Sequence, residues 1–233
     1  MIVIYGTEFS APTGRRLALA LRGVFTTQHP TSLPAHEATD HVICWGRTAG
    51  NDHYLNHAPV LNKIDALSRI KEAGVNTPPT LNKEHYIIKR PSGKRHLRFV
   101  QIPVDAIIQK KIPKLAEYRV HAFNSKYGVQ VKKLFTAQEK TPPPLEDNEG
   151  WEPSFAWNHR NGYIMHKVRD RRLCEALADI GLKAVETLGY DFGAVDIVQG
   201  EDNFWVLEVN SAPALSESRI KWYAKRFTEI FNS

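Results

Sequence analysis

The stretch DFGAVDIVQGEDNFWVLEVNSAP, residues 191–213, places two carboxylates and an amide where two strands should carry apolar side chains. Strand residues alternate faces, so Phe204, Val206, Glu208 and Asn210 are expected on one side and Trp205, Leu207 and Val209 on the other. The preceding run groups Ala194, Asp196 and Val198 in the same way. A turn centred on Asp202 brings Asp196 directly across from Glu208, and like charges facing one another at about 5 Å repel. A hard divalent cation between them resolves the conflict, because Mg2+ takes oxygen ligands and Asn210 adds a neutral oxygen two residues on. A solvated acidic face is the plainer alternative, weakened by the Trp, Leu and Val on the other side. A transition-metal site fits poorly, with no cysteine and no helical histidine pair nearby.

Around this hairpin the chain reads as an ordinary globular protein of 233 residues, 42% hydrophobic and 24% charged. No apolar run is long enough to span a membrane, and MIVIYGTEFS lacks the basic flank of a signal peptide, so a cytoplasmic protein is expected. The two cysteines, Cys44 and Cys174, lie far apart in apolar settings and read as buried thiols. The net charge of +6 is concentrated: residues 83–133 hold thirteen Lys or Arg against three acids, while the remainder, eighteen against twenty-two, is net negative. Those cations alternate with strand-like apolar runs, which points to a surface or cleft that meets phosphate.

The sequence opens with a buried strand at IVIY (2–5), a short helix in GRRLALALRG closed by Gly23, a loop from Thr26 to Asp40, and a second strand at HVICWG (41–46). From Leu61 apolar residues recur at helical spacing, with Asn62 as cap and Gly74 as stop. A domain boundary is expected near Pro59, giving a short N-terminal α/β segment (1–58) and a larger domain (59–233). Strands are expected at 86–90, 96–100, 106–112, 118–124 and 129–135, and a tight RNG turn at 160–162 leads into YIMHKV. Two helices follow, one beginning near Asp170 and ending at Gly189 with the stripe Leu173, Leu177, Ile180, Ala184 and Leu188, the other capped by Ser216 with Ile220, Ala224, Phe227 and Phe231. The class is α+β or α/β with a mainly antiparallel sheet in the second part.

These stretches resemble the ATP-grasp superfamily, and most closely the small carboxylate-amine ligases of bacteriophages, with a glutathione-synthetase-like ATP-binding fold. The family's penultimate strand ends in Asp and its last strand reads E-x-N, matched here by Asp196, Glu208 and Asn210; the resemblance makes these the Mg2+ ligands, with two ions on ATP. It further implies a nucleotide held between a small lid sheet (about 77–108) and a larger sheet (about 109–233) flanked by helices. LNKIDALSRIKEAGVNTPPT resembles the family's lysine-bearing helix, so Lys63 would approach the phosphates; YIIKR resembles the strand of the second phosphate lysine, Lys89. AIIQKKIP resembles the adenine hinge, so Gln109, Lys110, Lys111 and Ile112 would border the base. EYRVHAF resembles the D/E-x-R strand, which would aim Arg119 at the phosphoryl group, with Lys132 or Lys133 in the strand after it. The lid loop departs from the pattern. It reads RPSGKRHLR, with a single glycine, so Ser92, Gly93 and Lys94 would hold phosphate partly by side-chain charge.

The activity implied is an ATP- and Mg2+-dependent ligase that makes an acyl phosphate from a carboxylate and joins it to an amine, releasing ADP and phosphate. Its substrates would be small molecules or peptides, or modified nucleic acid as acceptor, with Arg47 and Arg160 as candidates for a substrate carboxylate. A kinase on the same nucleotide site is one alternative. A basic nucleic-acid-binding module, stacking bases on Tyr86, Phe99, Tyr118 and Phe123, is the other.

Overall fold

The computed structural model describes residues 1–32, 40–48, 51–81, 108–127, 135–142, 157 and 161–233. The expected strands at 86–90 and 96–100, and nearly all of the one at 129–135, lie outside them.

A three-stranded parallel sheet opens the chain: β1 (Ile2–Gly6) is central, flanked by β2 (Val24–Thr26) and β3 (His41–Trp45). Helix α1 (Ala11–Ala20) crosses from β1 to β2. Its first turn is fixed by reciprocal bonds: Thr7 N donates to Ser10 Oγ at 2.9 Å, Ser10 N to Thr7 Oγ1 at 3.1 Å, and Ser10 Oγ reaches the Trp45 carbonyl at 3.3 Å. The β1–α1 turn is thereby held against the end of β3. Strand β2 was not expected, because three residues are too few to show a period, and it ends at Thr26, where the expected loop begins.

Helix α2 (Lys63–Glu72) starts where Asn62 Oδ1 accepts from Asp65 N at 3.0 Å, as its sequence requires. Short strands β4 (Thr80–Leu81) and β5 (Ile108–Gln109) pair antiparallel. The main sheet is antiparallel throughout, in the order β10 (Phe204–Asn210), β9 (Phe192–Gln199), β6 (Ala116–Phe123), β7 (Phe135–Thr141), β8 (Ile164–Lys167). Helix α3 (Arg171–Thr187) precedes β9, with Asp170 capping Leu173 N at 2.8 Å, and α4 (Glu217–Phe231) follows β10. Ser216 stands at the N-cap of α4, but its hydroxyl meets Ser218 Oγ instead of a backbone N–H.

One face of the main sheet is apolar over its central strands, with Glu139, His166 and Gln199 at its margins. Tyr118, Val120, Ala122, Val195, Ile197 and Val206 pack there against Leu67 and Ile70 of α2 and Leu177, Ala184 and Val185 of α3. Each buried Val, Leu or Ile among them contributes about 1.5–3 kcal/mol. Gly181 allows α3 this close, since a Cβ on it would stand 2.7 Å from Val120 Cγ1. The opposite face is divided. At one end Phe123 and Phe192 join Trp45, Tyr223 and Phe227 in an aromatic core shared by the N-terminal sheet, β6, β9 and α4. At the other end the strands carry charge. Among the described residues no helix is long and apolar enough to cross a membrane.

Candidate active site

Pairing across the main sheet lines up Lys167, Gln138, Arg119, Asp196 and Glu208 in one row over all five strands. Asp196 and Glu208 are cross-strand partners as expected, but the hairpin achieves this differently. Next to the turn Val206 pairs with Ile197, and a register shift at Leu207 then sets Glu208 against Asp196. The bulge corrects the face assignment made from strict alternation. Val206 and Val209 both belong to the apolar core, whereas Glu208 and Asn210 join Asp196 and Ala194 on the other face. An extra residue in one strand reverses the parity beyond it, so a run with its apolar residues out of phase can line one core.

Asp196 is buried, 5% exposed, and tied down by cations of its own sheet. Arg119 forks onto it, Nε to Oδ1 at 2.8 Å and Nη2 to Oδ2 at 2.7 Å, while Lys140 Nζ stands 3.4 Å from Oδ1. Burial raises the Asp196 carboxyl, yet the hydrogen bonds and charge of Arg119, with Lys140, hold it below the ordinary carboxylate range. Burial likewise opposes the charge of Arg119, and Asp196 more than offsets it, raising that guanidinium above its usual value. Lys140 also bonds Glu117, its partner across β6 and β7, and Glu117 takes a second cation, Lys114, at 2.6 Å. Five charges thus alternate in sign through one buried network.

Glu208 is different. Its carboxylate is 40% exposed, accepts from Asn210 Nδ2 at 3.0 Å, and faces Lys63 Nζ at 3.9 Å from the first turn of α2. It lines a pocket of about 340 Å³ with Lys63, Asn210, Ser211 and, from the N-terminal unit, Thr7, Phe9 and Gly46. Gly46 has φ +74°, and a Cβ there would meet Ala212 Cβ at 2.8 Å, so the wall closes only around glycine. The donors available to a metal are hard oxygens, the set that suits Mg2+. Glu208 and the Asn210 amide oxygen are the open ligands; both oxygens of Asp196 already accept from Arg119 and Oδ1 also faces Lys140, which leaves Oδ2 as the freer oxygen to offer.

Other expected site residues are placed as follows. Gln109 to Ile112 lead from β5 towards β6 beside the tip of the β9–β10 hairpin: Gln109 pairs with Thr80, Lys110 N donates to the Pro79 carbonyl at 2.9 Å, and Ile112 lies against Gly200. Lys110 and Lys111 are exposed. Arg47 stacks on the Tyr5 ring at 5.3 Å and is not among the residues lining the Glu208 pocket. Lys89, Ser92, Gly93, Lys94, Lys132, Lys133 and Arg160 lie outside the described residues. Sequence reasoning missed Lys140, Glu117, Gln138 and Arg219. Only Glu117 carried a signal, as the acidic member of E-Y-R, because the others reach the row through pairings and helix placement that a linear reading does not contain. A further unheralded group is Asn56. At φ +60° it clasps Asp191: its side-chain oxygen accepts from Asp191 N at 2.8 Å and its own N–H donates to the Asp191 carboxylate, which joins the segment before α2 to the start of β9.

No protein-family model matches the chain, and no curated protein sequence does. Solved structures do. The ATP-grasp ligase PsnB, complexed with its minimal precursor, is 14% identical with a TM-score of 0.62, covering 98% of each chain. D-alanine–D-alanine ligase from Bacillus anthracis, complexed with ATP, is 13% identical with a TM-score of 0.63 over 99% of this chain and 95% of that one. Macrocyclase MdnC from Microcystis aeruginosa, bound with precursor peptide MdnA, is 12% identical with a TM-score of 0.51 over 97% and 98%. The chain has the ATP-grasp fold.

Proposed function

We propose that this protein is an ATP- and Mg2+-dependent carboxylate-amine ligase. The observation that carries the reading is the Glu208–Asn210 edge beside Asp196, met by Lys63 and Arg119, at the charged end of the main sheet. In PsnB, a protein of the same fold, a complex holds precursor, Mg and ADP together, which supports this use of the site.

Under this reading residues 77–108 form the lid, 109–233 the catalytic part and 1–58 a substrate-side segment. Glu208, Asn210 and Asp196 would hold the metal, which when bound supplies charge neutralisation to the phosphates. Lys63 and Lys89 would lie along the phosphate chain, Ser92, Gly93 and Lys94 over it, and Gln109 to Ile112 beside the adenine. A substrate carboxylate oxygen attacks the γ-phosphorus, the bond to the β-phosphate oxygen breaks, and ADP leaves. Arg119, already oriented by Asp196, directs its remaining N–H groups at the charge that develops, with Lys132 or Lys133 assisting. The amine then attacks the acyl carbon, loses a proton, and expels phosphate. No covalent enzyme intermediate is required; the chain positions and neutralises. The pocket walled by Thr7, Phe9 and Gly46 suits a small-molecule or peptide substrate.

The test is calorimetric titration of ATP into the wild-type protein and Glu208→Gln, with and without Mg2+. Wild-type binding is expected to require Mg2+, and the variant to lose at least about tenfold in affinity, equivalent to 1.4 kcal/mol. Turnover should release ADP and phosphate in an amine-dependent manner. Release of AMP and pyrophosphate would refute the acyl-phosphate route, and a stable phosphorylated product formed without amine would identify a kinase.

A further inference from the structure

Lys167, at the edge of the row, is exposed to water; among the cations nearer its centre Arg219 stands apart. Arg119 is paired with Asp196, Lys140 with Glu117 and Asp196, and Lys63 adjoins Glu208, whereas Arg219, in the first turn of α4, makes no ion pair among the described residues. Its Nε donates to Gln138 Oε1 at 3.2 Å, a neutral acceptor. Gln138 is in turn the β7 partner of Arg119. Two guanidinium groups therefore flank one amide, and the other groups that sense both charges, His121 and Tyr223, are neutral. Arg219 is half-buried, and desolvation pulls it below the ordinary arginine range. A guanidinium drawn partly out of water beside neutral partners is costly until an anion completes it, and its planar fork matches a carboxylate.

The row also sets the distance. Strands stand about 4.8 Å apart, so Gln138 lies roughly 10 Å from Asp196 and roughly 14 Å from Glu208. An anion at Arg219 is thus a different group from the phosphates that a metal on Glu208 and Asn210 would hold, yet close enough to belong to a small substrate bound beside them.

We propose that Arg219 and Gln138 form a carboxylate-binding site beyond Arg119 in the row, which reads an anionic group that the substrate carries in addition to the carboxylate being activated. The inference rests on the ligase reading and narrows it: the acid substrate is a dicarboxylate, or a peptide in which a second carboxylate lies within about 10 Å of the first.

The test uses the full 15N-labelled chain with saturating Mg2+ and a non-hydrolysable ATP analogue. Glutarate is titrated in, with butyrate as the monocarboxylate control, while the arginine Nε–H resonances are followed; that of Arg219 is the one absent from Arg219→Gln. The hydrogen bond to Gln138 slows exchange of this proton. A saturable shift of the Arg219 resonance by glutarate is expected, with an affinity at least about tenfold weaker for butyrate and for glutarate on Arg219→Gln. Arg219→Lys, which keeps the charge without the fork, should fall between the two and serves where the Gln variant folds poorly. An Arg219 resonance that ignores glutarate, or equal glutarate affinity in wild type and variant, overturns the proposal. The two readings fail separately: a wild-type protein that binds no Mg–ATP refutes the ligase, whereas a silent Arg219 in a protein that does bind Mg–ATP refutes only this site.

Discussion

Strands β6 and β9 carry two chemistries on one face. Phe123 and Phe192 close an aromatic core with Trp45, Tyr223 and Phe227; four residues along β6 from Phe123, Arg119 pairs with Asp196 and the row across the sheet is charged except at Gln138. His121 and Tyr223, joined Nδ1 to hydroxyl at 3.1 Å, form the seam between them. The aromatic end is dry and gains free energy by burial alone. At the ionic end every charge must be matched, because desolvating a pair costs about as much as the pairing returns. One end is built to fold, and the other to hold charged ligands at fixed positions.

The largest effect expected follows at the aromatic end. Phe192 is fully buried and touches Trp45, Phe123, Tyr223 and Phe227, so Phe192→Ala should lose about 3–5 kcal/mol in urea unfolding. Mg–ATP affinity of the folded fraction should stay within about threefold of wild type, since the ring lies away from the row. A large loss of nucleotide affinity at unchanged stability would break the division.

The ionic end should behave in the opposite way. Asp196→Leu alone strands Arg119 and leaves Lys140 with Glu117 only, at a cost of about 3 kcal/mol or more. Adding Arg119→Met removes the uncompensated charge and should restore stability to within about 1 kcal/mol of wild type, while nucleotide binding stays lost. A double variant as unstable as the single one would mean that these ions contribute net folding energy.

How much of this was legible in the sequence follows the same line. The apolar stripe of α3, the cap Asn62 and the opposition of Asp196 and Glu208 are local patterns, and they hold; the stripe expected on α2 holds at Leu67 and Ile70 but not at Ile64, which is exposed. The hairpin was legible for an incomplete reason, since the turn alone sets a register one residue off and the bulge at Leu207 restores it. Strand β7 was not expected past Phe135, because Glu139 and Thr141 stand on the face of Ala137 and break the alternation by which strands are recognised. Arg219 reads as one more surface charge in SESRIKW. Only the packing of α4 over the sheet carries it to Gln138.

The seam offers the finest test, by pH. Burial, then the charges of Arg219 and Arg119, depress His121 from its usual 6.5 to about 3, although Asp196 pulls the other way. The folded protein therefore keeps His121 neutral while the unfolded chain protonates it. Its contribution to stability is complete above pH 6.5 and is lost progressively as pH falls towards 3, by about 1.4 kcal/mol per unit for the single proton. Asp196, whose folded value is also depressed, adds its loss only below its usual 3.8. Between about pH 6 and 4.5 the two groups are thus separated, and His121→Gln, whose amide oxygen can still accept from Tyr223, should flatten the stability slope by close to one proton. Equal slopes would place water or a counter-charge at the seam, and the boundary between the dry and the ionic end would then lie nearer the aromatic core than Arg119.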